Sequence, residues 1–500
     1  MNRLQIKDIK RLVRQALKRD YPGFKRLKKK TKKQVLSKVL QYVVDNYDQS
    51  AAVAATNYEL CGIDKIPPNI YTLGQMEELI GTHYTGVLDL KLKNRTSAIK
   101  DPELRFINEL CDWSFVNSLI APESYSPVHR DKHPVHFFKA ELLKALKNPE
   151  ITYRKFCGQE INNKERRENR AFIGLKANQT LDHSELSKFR AGLSYDRLIN
   201  VMVYFIHLFL KKKGLPKNVV YAVDSTELAE KISSYSLVEL KVGNNKIRLY
   251  RDVDADCGPR RKKRDKSDFV VGYRLHTLTV IDVEAQIAYP LLSILASANH
   301  HDSNFLSMLV ELGKAIGLDI NIVIGDQAYG DEDENRDIQK EHNVTILTQP
   351  KTIKKLPNFV DADTFHVYHN DMCDRPMTWR GTSDAREHEY LCEASANECP
   401  LSGHCDKVRN IPVDSGAFGQ IPYHIKQVQQ LCSIRKVAER PFNLLKHRDG
   451  LEPLRTVSRE TTRTVTMIAN IATLLIEIAG FRHTKKTSKN KQLQLFQKAA

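Results

Sequence analysis

Charged and apolar residues alternate at helical spacing through residues 1–165. Within that stretch Val35, Leu36, Val39, Leu40, Val43 and Val44 share one face of a helix predicted from Thr31 to Tyr47. Asp182 or Ser184 is placed to cap a helix that continues through Leu186 and Phe189. A longer apolar helix, Leu198 to Leu210, then runs into the turn Gly214-Leu215-Pro216. Beyond that turn the period changes. The β-branched run "NVVYAVD" (218–224) reads as a strand that stops at Asp224. "FVVGYRLHTLTVI" (269–281) and "AQIAYPLLSIL" (285–295) read as a β-hairpin. Residues 304–317 return to helical spacing, and "INIVIG" (320–325) is a further strand, stopping at Asp326. Hairpin, helix and strand in that order predict a mixed α/β layer.

Residues 351–420 break the pattern. They are rich in Cys, His, Asp and Gly, hold few long apolar runs, and read as an inserted subdomain. Helical spacing resumes from Ile425 to Phe481. Its most apolar window, Thr464 to Phe481, contains Asn470 and Glu477. A membrane span needs about 20 predominantly apolar residues, so this window predicts a buried helix. The expected organisation is an α-helical N-terminal region (1–170) and a helical lead-in with the first part of an α/β core (171–350). A Cys-rich insertion (351–420), the C-terminal helices of the core (421–482) and a basic tail (483–500) complete it.

Charge narrows the partner. The chain has 500 residues, more than one core usually holds, with Lys+Arg 78 against Asp+Glu 60 and a net charge of +18. That balance favours a polyanion, nucleic acid before an acidic membrane surface. Residues 11–33 hold eleven Lys/Arg and one acid, Asp20, which suits DNA-backbone contact as well as a solvated helical face. The run "GPRRKKRDKSDF" (258–269) holds six more basic residues and reads as a loop on the DNA side of the sheet. The opening "MNRLQIKDIKRLVRQ" lacks the apolar core of a secretory signal. With nine Cys and no such signal, a reducing cytosol without disulfides is expected.

Two strands share one design, since "VVYAVD" and "NIVIGD" are both apolar runs that end on an Asp. Open α/β sheets place ligands beyond the carboxyl ends of their strands. If the strands are neighbours, Asp224 and Asp326 meet and repel unless a cation stands between them. A hard divalent ion such as Mg²⁺, which also accepts substrate phosphate, fits that need. Either Asp alone would read as a loop or helix cap. In "CSIRKVAERPFNLLKHRDG" the residues Arg435, Glu439, Asn443 and Lys446 share a helical face, with Pro441 placed to kink it. Without the two Asp this face would read as surface ion pairs. Cys373, Cys392, Cys399 and Cys405 lie at spacings x18, x6 and x5 in the polar insertion. Four Cys in a segment without an evident core suggest a structural Zn²⁺, with His388 and His404 as alternative ligands; unpaired thiols are the bland alternative.

These pieces, taken in order, resemble the DDE transposases of bacterial insertion sequences. The matching stretches are "DHSELSKFR" (182–190), "YAVDST" (221–226), "VGYRLHTLT" (271–279), "SANHHDSNFL" (297–306), "IGDQAYG" (324–330) and "RKVAERPFNLLK" (435–446). They span about residues 178–482, whereas the first 170 residues match loosely. The resemblance implies an α/β fold with an RNase H-like mixed sheet flanked by helices. It implies a triad of Asp224, Asp326 and Glu439 holding two Mg²⁺ (or Mn²⁺) ions, with Arg435 and Lys446 positioning DNA phosphates. The implied partner is double-stranded DNA, both transposon ends and target. A homodimer on the paired ends and a cytoplasmic, nucleoid-associated location are expected with it. Relatives can carry a Cys-Pro-Leu-x3-Cys stretch similar to "CPLSGHC" (399–405). One departure stands out: many relatives have a phosphate-binding Tyr three residues before the Arg, and here that position is Cys432, whose thiol cannot replace a phenol. The alternatives are an RNase H-like nuclease without strand transfer and a transposase-derived DNA-binding protein. A zinc hydrolase is disfavoured, because the Cys/His segment offers no general base.

Overall fold

The computed structural model describes residues 29–30, 32–37, 66–83, 96–122, 132–215, 218–229, 238–242, 245–249, 252, 254–263, 266–330, 332–349, 356–369, 373, 375–395, 397–399, 405, 407–413, 418–448, 451, 454, 456 and 458–480. Of the helix predicted from Thr31 to Tyr47, residues 32–37 are helical with Val35 and Leu36 buried; the rest lies outside the described residues. Most of the basic arm at 11–33 and the tail at 483–500 also lie outside them.

The first part of the chain is helical: α1 (Leu73–Thr82), α2 (Pro102–Leu110), α3 (Trp113–Ile120), α4 (Pro134–Lys147), α5 (Arg167–Ile173), α6 (His183–Gly192) and α7 (Tyr195–Lys213). Of the two cap candidates before α6, Asp182 does the capping. It accepts from the Ser184 N–H, and Glu185 reaches back to the Asp182 N–H. A mixed sheet follows, formed by β1 (Val219–Ala229), β4 (Asp256–Lys263), β5 (Lys266–Asp282), β6 (Ile287–Ser297), β7 (Ile322–Gly325) and β8 (Thr345–Thr348). Between β1 and β4 a separate two-stranded ribbon holds β2 (Val238–Val242) and β3 (Asn245–Leu249). Strands β4, β5, β1, β7 and β8 lie side by side in that order, and β6 pairs with β5. The β5–β6 hairpin is antiparallel, as the alternating pattern predicts, whereas β1–β7 and β7–β8 are parallel. Helix α8 (Leu306–Ala315) makes the crossover into β7, and α9 (Glu332–His342) the one into β8.

The basic run at 258–269 is not a loop. Residues 258–263 and 266–269 form the paired ends of β4 and β5, with Arg260 opposite Asp268 and Lys263 opposite Lys266; residues 264–265 lie outside the described residues. Apolar residues at alternate positions of β5 continue the strand, and pairing with β4 extends it outward. Phe269 on this hairpin is exposed.

Period-two alternation sorts β1 between the two faces of the sheet. Tyr221 and Val223 join a large core with the N-terminal helices, α7 and the C-terminal helix α12 (Arg459–Ala479). That cluster includes residues on both sides of position 170, from Met76 to Ile476. Val220 and Ala222 join a second core with Ile324, Leu347, Val428, Cys432 and Val437. The predicted buried helix is α12, whose residues Met467 to Ile476 are buried. The insertion folds as a three-stranded antiparallel sheet, β9 (Thr378–Thr382), β10 (Glu387–Leu391) and β11 (Val408–Pro412). It has a core after all: Val360, Val367, Met377, Tyr390, Ile411 and Phe418 are buried together. Single apolar residues spread over several short strands and turns supply it, so no long apolar run is needed.

Candidate active site

Asp224 does not end its strand. The apolar run stops there, but β1 continues to Ala229, still paired with β5. What ends is the parallel neighbour. Tyr221 lies opposite Val323 and Ala222 opposite Ile324, and β7 finishes at Gly325. Carried on by two residues, that register sets Asp224 level with Asp326. Alternation places both side chains on the face of Val220, Ala222 and Ile324. Asp326 also caps a short 3₁₀ turn, Gln327–Tyr329, by accepting from the Ala328 N–H at 2.8 Å. The capping role and membership of an acid cluster are therefore compatible in one residue.

The third acid arrives from the same side. After α10 (Lys426–Ile434) the chain tightens into a 3₁₀ turn, Arg435–Ala438, then forms α11 (Glu439–Asn443) and a π-helical turn, Leu444–Arg448. The expected single helical face is thus broken into three geometries, because Pro441 has no N–H for a continuous α-helical ladder. Phe442 and Leu445 anchor the segment among Tyr273, Leu275 and Leu295 of the sheet. Arg435 is buried and bridges two acids. Its Nη1 donates to Asp224 Oδ2 at 2.9 Å and its Nη2 to Glu439 Oε1 at 3.4 Å. The Glu439 side chain is 51% exposed, so it stands at the mouth of the site. Lys446 lies half-buried on the π-helical turn.

Asp224 is the electrostatic centre. Burial raises its carboxyl to about 6; the Arg435 charge and the Ser225 N–H pull it down, and Asp326 and Glu439 push it up. Both of its oxygens have fixed partners, since the Ser225 N–H donates to Oδ1 at 2.8 Å. Among the described residues no three His, Cys, Asp or Glu side chains stand together as a ready-made metal cage. At this cluster the cation that offsets the crowded carboxylates is Arg435. The donor chemistry still fits a hard divalent ion: three carboxylates, no thiol, and one acid raised chiefly by burial and further by the neighbouring carboxylates.

Cys432 does not take the place of a phosphate-binding Tyr at the surface. It is buried with Val220, Ala222 and Val428, where desolvation pushes its thiol up to about 11. The insertion's Cys373, Cys392, Cys399 and Cys405 are partly exposed free thiols, and no metal-holding group forms among the described residues there. Nor is His388 a free ligand. Its Nδ1 accepts from the Trp379 indole at 3.2 Å, so Nε2 carries the proton and donates to the Gly419 carbonyl at 2.8 Å. His404 lies outside the described residues.

Four further polar residues gather at this end of the sheet, and one motif supplies each: Ser225, whose N–H donates to Asp224, and Arg274, Asp302 and Tyr329. Composition alone does not single them out; their position inside the matching motifs was the available signal. Gly325 makes room for one of them. A Cβ there would lie 3.1 Å from Tyr329 Cβ, tighter than ordinary contact, so a bare backbone lets the Tyr ring fold back on the strand end.

No protein-family model and no curated protein matches this sequence. Among solved structures, the chain is similar to a piggyBac transposase in a synaptic complex with hairpin DNA. The match has 12% identity, a TM-score of 0.29 and coverage of 85% of each chain. A TM-score that low gives the likeness no weight for fold or chemistry.

Proposed function

We propose that this protein is a DNA transposase of the DDE type, which cleaves phosphodiester bonds at element ends and joins the freed 3′-OH to target DNA. The observation that carries the reading is the parallel register of β1 and β7, which brings Asp224 level with Asp326, together with Arg435 joining Asp224 to Glu439. A mixed sheet flanked by helices, with its two acid-bearing strands side by side, supports an RNase H-like core. In this reading Asp224, Asp326 and Glu439 hold two Mg²⁺ or Mn²⁺ ions, which when bound supply an activated water and charge relief for the leaving oxygen. The chain's own residues do the rest. Arg435 and Lys446 hold phosphates, the Arg by a planar fork and the Lys as a point charge. The basic β4–β5 hairpin lies along the DNA backbone. Double-stranded DNA, a homodimer on paired ends and a cytoplasmic, nucleoid-associated location follow from this reading.

The test is Asp326→Asn. Asn keeps the size and the cap but removes the charge, so cleavage of a plasmid carrying the DNA that flanks the gene is abolished while duplex binding stays within about twofold. Normal nicking by this variant sinks the assignment. A nuclease that never joins ends has the same residues, and a strand-transfer assay on the same plasmid separates the two.

A further inference from the structure

Behind the sheet, on the face opposite the Asp224 side chain, lies a second polar cluster. Ser225 is directly opposite His276 in the β1–β5 pair, and Glu227 is opposite Arg274. Arg274 Nη1 donates to Asp302 Oδ1 at 3.0 Å, and its Nη2 faces Glu227 at 3.4 Å. Ser225 Oγ donates to the same Asp302 oxygen at 3.1 Å. Asp302 opens the 3₁₀ turn that precedes α8, so it is fixed to a different element from Ser225. Next to them the Tyr329 hydroxyl is fully buried. Burial raises that phenol well above its ordinary value, and the charges of Asp302, Asp224 and Asp326 raise it further.

We propose that Asp302 is a positioning residue of the acid site: it tethers Ser225 from behind the sheet, so that the Ser225 N–H holds Asp224 Oδ1 in place. The proposal rests on reading Asp224 as a metal-holding acid. The restraint is mechanical. Beyond Gly325 the β7-facing side of β1 has lost its parallel neighbour, so strand pairing no longer fixes that side. The Ser225 N–H donates to Asp224, and beyond the backbone pairing of Ser225 with His276 of β5, its hydroxyl is held by Asp302. The Arg274 ion pair keeps Asp302 from following any movement of Ser225.

The experiment measures Mn²⁺ binding to the full-length protein by electron paramagnetic resonance, alongside thermal melting in chelator. Asp224→Asn sets the baseline. Asp302→Ala and Ser225→Ala each weaken Mn²⁺ binding about tenfold, the scale on which residues behind metal ligands act. The double variant is no worse than either single one, because both cut the same tether. Asp302→Asn stays within about threefold of wild type, since its amide oxygen still accepts from Ser225 and Arg274. Unchanged Mn²⁺ affinity in Ser225→Ala, or additive losses in the double variant, overturns the proposal; Ser225→Ala decides the matter even if Asp302→Ala fails to fold. If Asp224→Asn itself binds Mn²⁺ like wild type, the reading of the acid site fails first, and the proposal falls with it.

Discussion

At Asp224 two fixed donors grip one carboxylate, the Ser225 N–H on Oδ1 and Arg435 on Oδ2. The residue nevertheless holds its proton up to about 6, against an ordinary 3.8, because burial outweighs both donors. Folded Asp224 therefore binds its proton more tightly than the unfolded chain does. Its contribution to stability falls as pH rises from about 4 to about 6, the window set by those two values. Removing Arg435 deepens that loss, since a buried charge left without its partner typically costs about 3 kcal/mol. Arg435→Ala is thus expected to lower unfolding stability by about that amount at pH 8 and by clearly less at pH 5, where Asp224 is protonated. Denaturant melts at the two pH values check this; an equal loss at both means that Arg435 acts through packing alone. Arg435→Lys recovers only part, because an ammonium cannot fork between two acids.

At the scale of elements, the third-acid segment shows how packing overrides periodicity. Arg435, Glu439, Asn443 and Lys446 are legible as one face of a regular helix, yet the chain divides into a 3₁₀ turn, a short α-helix and a π-helical turn. Pro441 forbids the continuous ladder, and Phe442 with Leu445 decides where the segment sits by burying itself against β5 and β6. Phe442→Ala removes that anchor. Loss of a buried Phe costs about 3–5 kcal/mol, and Glu439 loses its fixed place at the same time. The expected result is a lower midpoint in denaturant and weaker cleavage, with duplex binding retained through the rest of the basic surface. An unchanged midpoint would show that Phe442 is not the anchor. The insertion teaches the converse lesson. Its strands are too short and mixed to announce a core, but Tyr390 and Ile411 on them join Val360, Val367, Met377 and Phe418 from the flanking chain in one buried cluster. His388, a candidate ligand by residue type alone, is consumed in holding that small sheet together.

Across the whole molecule the excess charge of +18 is the property most open to a simple measurement. The basic run at 258–269 is carried on a strand pair continuous with β1's neighbour β5, which ties its position to that of the acids. Counterion release makes DNA affinity fall with salt in proportion to the phosphates touched. Replacing Arg260, Arg261, Lys262 and Lys263 by Gln should flatten the slope of log affinity against log salt by about 0.9 for each phosphate no longer neutralised. A slope equal to wild type would place the hairpin away from the DNA.

By itself the sequence determined which residues are candidates and the rough order of elements around them. Local physics suffices for that: β-branched runs make strands, a 3.6-residue period makes helices, and an acid at the end of an apolar run is conspicuous. The β5–β6 hairpin, α8, β7 and the buried helix α12 were all legible on those grounds. Strand neighbours are not a local property, and they decided the rest. Only the tertiary structure set β7 beside β1, so that two distant acids stand level, and continued β1 past Asp224 along β5. It also turned Cys432 into the core and placed Arg435 between Asp224 and Glu439. Ser225, Arg274, Asp302 and Tyr329 carry no distinguishing pattern of their own. Their convergence arises because four chain segments far apart in sequence pack against the same end of one sheet.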